Sequence, residues 1–259
     1  MKKYGLSLSL GILYLALWNC PVASPADASV AEMFNKGASA YQSGSFQSAE
    51  QYYLQILNSG IENASAYYNL GNACFKQKRL GDAIYYWEKA RLISPNDRDI
   101  QENLELANLL LVDRIEAPAD PLPVKIFGKI TGFLTISQEC TVLLILFFVA
   151  NILFFIYLRI GNSRSAFRAL LGCFATGLLF LIFAGSLSWK IYHNSYIKEG
   201  IVVEQKVDVR SGPGSENITV FTIHEGIKVR VHQTENGWHQ ISLPNGWSGW
   251  LPQNNLRIL

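Results

Sequence analysis

The chain has 259 residues, a formal net charge of +2, 49% hydrophobic and only 16% charged residues. Soluble domains usually carry about 25% charged residues, so the deficit points to membrane segments. The near-neutral balance argues against a role that needs a basic nucleic-acid-binding face.

The N-terminus reads as an address. Lys2 and Lys3 precede the apolar stretch Leu6 to Trp18, too short for a comfortable span, and Ala26-Asp27-Ala28 fits a small-residue cleavage site. Residues 1–28 are therefore expected to be a secretory signal peptide, cut between 23 and 28. Trp18 and Asn19 stand where a lipobox wants small residues, which argues against lipidation of Cys20. The other cysteines, Cys74, Cys140 and Cys173, have no mate at CxxC spacing, so neither a disulfide framework nor a metal site is indicated.

Residues 29–116 contain an internal repeat. At an offset of 34, Gly37 falls on Gly71, Phe46 on Leu80, Ala49 on Ala83 and Tyr53 on Trp87. That is the tetratricopeptide period. The second copy resembles the tetratricopeptide family closely: Tyr67, Leu70-Gly71, Ala83, Trp87, Ala90 and Pro95 stand at the family's positions. Small Gly71 and Ala83 let two helices press together, Tyr67, Leu70, Leu80 and Trp87 fill the gap, and Pro95 stops the second helix. The first copy is weaker, with Gly44 in the turn where the second has Lys78. Ile100 to Ile115 predicts an amphipathic closing helix that buries Leu104, Leu109 and Leu111. If the family geometry holds, Tyr41, Tyr68, Asn72 and Phe75 face a concave surface, either as packing residues or as a peptide-binding groove.

Pro118, Pro121 and Pro123 open a linker over 117–138, in which Ile126, Phe127, Ile130, Phe133 and Leu134 predict a short interfacial helix. Two uncharged apolar runs follow, Cys140 to Leu158 and Ala169 to Trp189. Each is long enough for a bilayer core of about 30 Å, giving transmembrane helices over 139–159 and 169–190. Arg159, Arg164 and Arg168 mark the link, with its loop at 160–168, as cytoplasmic, so both soluble modules belong on the other face. Asn151, and the pairs Gly172 with Thr176 and Ala184 with Ser188, predict close helix packing with one interhelical hydrogen bond. No ionisable residue lies inside either run to carry protons or ions.

From residue 200 the periodicity changes to two. Val202 to Val209 and Ile227 to Val231 alternate, with turns at Gly212-Pro213-Gly214, Asn236-Gly237 and Asn245-Gly246. Five or six short strands over 200–259 predict a small barrel. Arg210-Ser211-Gly212-Pro213-Gly214, Gly226, Asn236-Gly237-Trp238 and Gly249-Trp250-Leu251 resemble the bacterial SH3 domain. The resemblance implies a binding module for peptides or cell-wall material. Trp250 is expected in the core, and Arg210, Trp238 and Trp247 on a contact surface. His224, His232 and His239 match no ligand spacing and read as strand-surface residues.

The expected fold class is thus a multidomain membrane protein: an all-α tetratricopeptide module, a two-helix transmembrane hairpin and a small all-β SH3-like barrel. The order of parts resembles the BatE proteins of the Bacteroides aerotolerance operons. Tyr67-Tyr68-Asn69-Leu70-Gly71-Asn72, Asp82-Ala83-Ile84, Ser94-Pro95-Asn96-Asp97 and His224-Glu225-Gly226 through Trp250-Leu251-Pro252 carry the resemblance. It implies a bacterial inner-membrane location with periplasmic modules, and partners among von Willebrand A-domain proteins and, indirectly, a MoxR-type ATPase. No nucleophile–base set, paired carboxylates, phosphate loop or cofactor motif is present, so an adaptor is expected rather than an enzyme. A peptidoglycan-binding tether is the competing expectation.

Overall fold

The computed structural model describes residues 25–115, 134–160 and 163–259, with isolated helical positions between 116 and 133. The signal stretch Leu6 to Trp18, and most of the expected interfacial helix, lie outside the described residues.

Five helices form the first module: α1 Pro25–Gln42, α2 Phe46–Asn58, α3 Ala64–Lys76, α4 Leu80–Ile93 and α5 Arg98–Leu110. Local chemistry sets their starts. The Asn63 side chain accepts from the Ala66 N–H, and Asp97 accepts from the N–H groups of Asp99 and Ile100. The expected seam is present in both repeats. A β-carbon on Gly71 would lie 2.6 Å from the Trp87 ring and 3.1 Å from the Ala83 carbonyl oxygen, and one on Gly37 would lie 2.9 Å from Tyr53. Ala49, Ala83, Tyr53 and Trp87 are all buried. The turns match too, since Gly44 and its counterpart Lys78 both adopt positive φ, 78° and 62°.

Ile100, Leu104 and Ala107 are the buried stripe of α5. Leu109 departs from expectation and is exposed, because it lies off the face set by that spacing. Leu111 follows the helix and packs between the repeat core and the C-terminal module.

Helices α6 Ile136–Ile160 and α7 Arg164–Tyr196 are each long and apolar enough to cross a membrane. They pack on each other with their large side chains outward, Phe147, Phe174 and Leu181 among them. That is the reverse of a soluble core helix. Gly172 is the close-packed point, its added β-carbon falling 3.2 Å from Leu153.

The expected interhelical bond through Asn151 is not formed. Its amide donates to the Phe147 carbonyl of its own helix at 2.7 Å, as Thr176 and Ser188 donate to Gly172 and Ala184. The helices are tied instead at the end away from the arginine turn. Glu139, fully buried, accepts from Ser186 Oγ at 2.9 Å and pairs with Lys190 at 2.8 Å. These charges flank the apolar runs, and sliding one helix along the other would part them.

Only Ile197 separates α7 from the first strand. The sheet comprises β1 Lys198–Val202, β2 Lys206–Arg210, β3 Thr219–His224, β4 Lys228–Glu235, β5 Trp238–Ser242, β6 Ser248–Pro252 and β7 Leu256–Ile258. Their antiparallel order is β3-β2-β6-β5-β4-β1-β7. Seven strands replace the expected five or six, because the alternation from Val202 to Val209 breaks at 203–205 and the chain end returns beside β1. Val202, Val209, Ile241 and Leu251 form the fully buried centre.

Candidate interaction surfaces

The two soluble modules are docked, which periodicity alone could not reveal. Helix α4 has no side-chain cap of its own at Arg79. Its Gly81 N–H instead donates to Glu225 of the β module at 2.8 Å, placing a carboxylate at the helix N-terminus. A β-carbon on Gly81 would meet the Val202 carbonyl oxygen at 2.6 Å, so only glycine permits this approach. Opposite it, Gly226 sits against Ile84 and Leu111.

Around that contact lies a charged, hydrogen-bonded network. Buried Asp82 pairs with Arg79 at 3.2 Å and with Arg257 at 3.1 Å. Arg257 also donates to the Tyr86 hydroxyl at 2.7 Å and lies 5.5 and 5.4 Å from the ring centroids of Tyr85 and Tyr86. Burial pushes the Tyr86 phenol up to about 12, with the Arg257 charge opposing the rise. Lys228 bridges Glu88 and Glu199. Asp113 accepts the His224 N–H at 2.6 Å and lies 3.0 Å from its ring nitrogen Nδ1. Between the modules a cleft of about 240 Å³ is lined by Leu104, Asn108, Ile115, Ile201 and Pro244, among others.

The residues expected on the concave surface are all half-buried. Tyr41 meets Phe46 edge-on at 5.3 Å, Tyr68 packs on the repeat core, and Phe75 lies 5.6 Å from Trp87. Asn72 Oδ1 accepts from Trp87 Nε1 at 3.1 Å and from Asn103 Nδ2 at 2.9 Å, joining α3, α4 and α5. One period beyond Asn72, Phe75 and Lys76 stand Leu106, Leu109 and Leu110, with 47%, 73% and 50% of their surface exposed. The same 34-residue offset, carried one step further, would have found them.

In the β module, Arg210 Nη1 donates to the carbonyls of Ser215 and Asn217 at 2.7 and 2.6 Å, folding the 211–218 turn back on β2. Trp250, 7% exposed, pairs across strands with Arg210 and Gln240. Trp238 and Trp247 are not brought together. Trp238 is opposite Pro252, whereas Trp247 adjoins the Ser242–Ser248 pair at the other end of the same ladder. Trp247 is 59% exposed, with its ring 5.5 Å from Phe221, beside a hollow of about 340 Å³ lined by Val220, Phe221, Trp247 and Ser248.

The histidines do not converge. His232 bonds Ser242 at 2.8 Å, and His239 bonds Thr234 at 2.7 Å. His239 is buried rather than on the strand surface; desolvation and nearby Lys198 lower its pKa. Among the described residues no group of histidine, cysteine and carboxylate side chains could hold a metal. The buried Cys74 thiol accepts from Arg79 at 3.2 Å and is pushed up to about 12 by burial, so it stays protonated at neutral pH.

Residues 64–97 match the family model of the tetratricopeptide repeat, and residues 203–257 match that of the bacterial SH3 domain. No curated protein matches the chain.

Proposed function

We propose that the chain is a membrane-anchored adaptor of the bacterial envelope, which binds protein partners along its repeat groove and through its SH3-like module. The observation that carries this reading is the lane of exposed leucines, Leu106, Leu109 and Leu110. It continues the face of Tyr41 and Phe75 with apolar surface that water alone would not favour. Both matched modules belong to families that bind rather than transform their ligands, which supports an adaptor over an enzyme.

The docking supports the topology. Residues 25–115 and 198–259 touch, so whatever membrane α6 and α7 enter, the chain must enter and leave it on one side. With the arginine turn inside, that side is the periplasm. Following the BatE resemblance, the partners are von Willebrand A-domain proteins and, through them, a MoxR-type ATPase.

Cross-linking capture from native membranes tests this reading. Leu109→Glu should abolish the captured partners while leaving the melting profile unchanged, since the side chain is exposed. Undiminished capture would remove the groove from the proposal. The bacterial SH3 match favours a second reading, peptidoglycan binding, with half-exposed Trp238 beside Pro252 offering an aromatic face to sugar rings. Co-sedimentation of the full chain with peptidoglycan, lost in Trp238→Ala, would select the tether instead.

A further inference from the structure

The turn of the hairpin carries charge that the chain itself does not answer. From Cys140 to Trp189 the sequence holds no aspartate, glutamate or lysine, and its only charged residues are Arg159, Arg164 and Arg168. All three are exposed. Arg159, at the end of α6, lies over the Phe155 ring at 5.2 Å. Arg164 and Arg168 have no ion-pair partner among the described residues. They stand four apart on α7, where like charges are neighbours and repel until an anion lies between them.

The two arginines border a hollow of about 600 Å³, lined by Ser163, Arg164, Phe167 and Arg168. Ser163 Oγ accepts from the Ala166 N–H at 3.2 Å, which holds the hydroxyl in place and leaves its proton for another acceptor. Ala166 and Ala169 are the buried side of this stretch, so its basic side takes no part in packing the hairpin. Further along α7, Phe167, Leu170, Leu171 and Phe174 are exposed. Within two turns the surface passes from guanidinium to hydrocarbon. A free phosphate would answer only the first half of that surface. A zwitterionic headgroup brings a cation of its own against the arginines.

We propose that this turn binds the headgroup of an anionic phospholipid. Arg164 and Arg168 donate to the phosphate oxygens, and Phe167 and the leucines beyond it lie along the acyl chains. Arg159 adds to the positive field from α6. The inference rests on reading α6 and α7 as membrane helices.

Lipid retention by the full chain tests the site. The chain is placed in nanodiscs of phosphatidylcholine with a minor share of phosphatidylglycerol, then released in mild detergent for native mass spectrometry. Relative to the disc composition, phosphatidylglycerol should be enriched about tenfold among the lipids carried with the chain. Most of that enrichment should vanish in Arg164→Gln and in Arg168→Gln, whose side chains are exposed, so the melting profile should hold. It should persist in Arg114→Gln, an exposed arginine outside the hairpin. Equal retention of both lipids, an enrichment unmoved by either hairpin arginine, or displacement of the lipid by millimolar inorganic phosphate would overturn the proposal. A chain that stays outside the discs would overturn the membrane reading with it, whereas one that enters without selecting the lipid overturns this inference alone.

Discussion

Two seams hold the soluble part of this molecule together, and they use opposite chemistry. The seam inside the second repeat is apolar and close-packed: Gly71 against Trp87 and the Ala83 backbone. The seam between the modules has an equally close glycine contact at Gly81, surrounded by the Asp82–Arg257, Glu88–Lys228 and Asp113–His224 pairs. An apolar seam tolerates only shape, whereas a polar seam also demands partners, because a buried group that loses its partner keeps the cost of desolvation. The first seam should therefore fail by cavity formation and the second by separation.

The largest expected effect is at the apolar seam. Trp87→Ala should cost about 3–5 kcal/mol, seen as early loss of the helical circular-dichroism signal; an unchanged melt would mean that the seam is not the centre of the module. Next comes Gly81→Ala, where the sign is informative. Within an isolated helix the change should stabilise by about 1 kcal/mol. Here the added carbon meets the Val202 backbone, so the docked protein should instead lose about 1–3 kcal/mol and the amide at position 81 should exchange faster with solvent. A net stabilisation would show that the modules are not pressed together.

Lys78→Gly should act in the opposite direction and more weakly. The first repeat already has glycine at this left-handed turn, so the change should stabilise by about 0.5–1 kcal/mol, measurable as a higher urea midpoint. The smallest effect distinguishes the modules by pH. Cys74 and Tyr86 are pushed up to about 12 and do not titrate near neutrality. His239 is held below its ordinary 6.5 by desolvation and Lys198. Folding favours its neutral form, so its contribution is complete above 6.5 and is lost as pH falls through the lowered value. The β module should lose near-ultraviolet signal at slightly lower temperature in mild acid, and His239→Gln should flatten that slope.

What was legible in the sequence had a period. The 34-residue offset located Gly71, Ala83 and Trp87 and, from the weaker copy, Gly37 and Tyr53. The long apolar runs gave the hairpin, and paired Asn-Gly turns gave the sheet. What was missed depends on residues far apart in the chain. Glu225 caps a helix that begins 145 residues earlier, and Arg257 answers Asp82 across about two thirds of the sequence. Glu139 and Lys190 stand one position outside the uncharged runs, where a window looking for spans stops. Trp238 and Trp247 are nine residues apart, but the β5–β6 turn leaves them at opposite ends of one ladder. Asp82-Ala83-Ile84 and His224-Glu225-Gly226, which looked like two separate signatures, meet at the same joint.

The single residue between α7 and β1 has a mechanical consequence. The repeat module reaches the hairpin through residues 111–135, whereas the sheet is joined directly to α7. One connection is long and the other is a single residue. A tilt or axial rotation of α7 would therefore reach β1 first, and then α4 through the contacts at Gly81 and Arg257. The helix works less as a mooring than as a shaft.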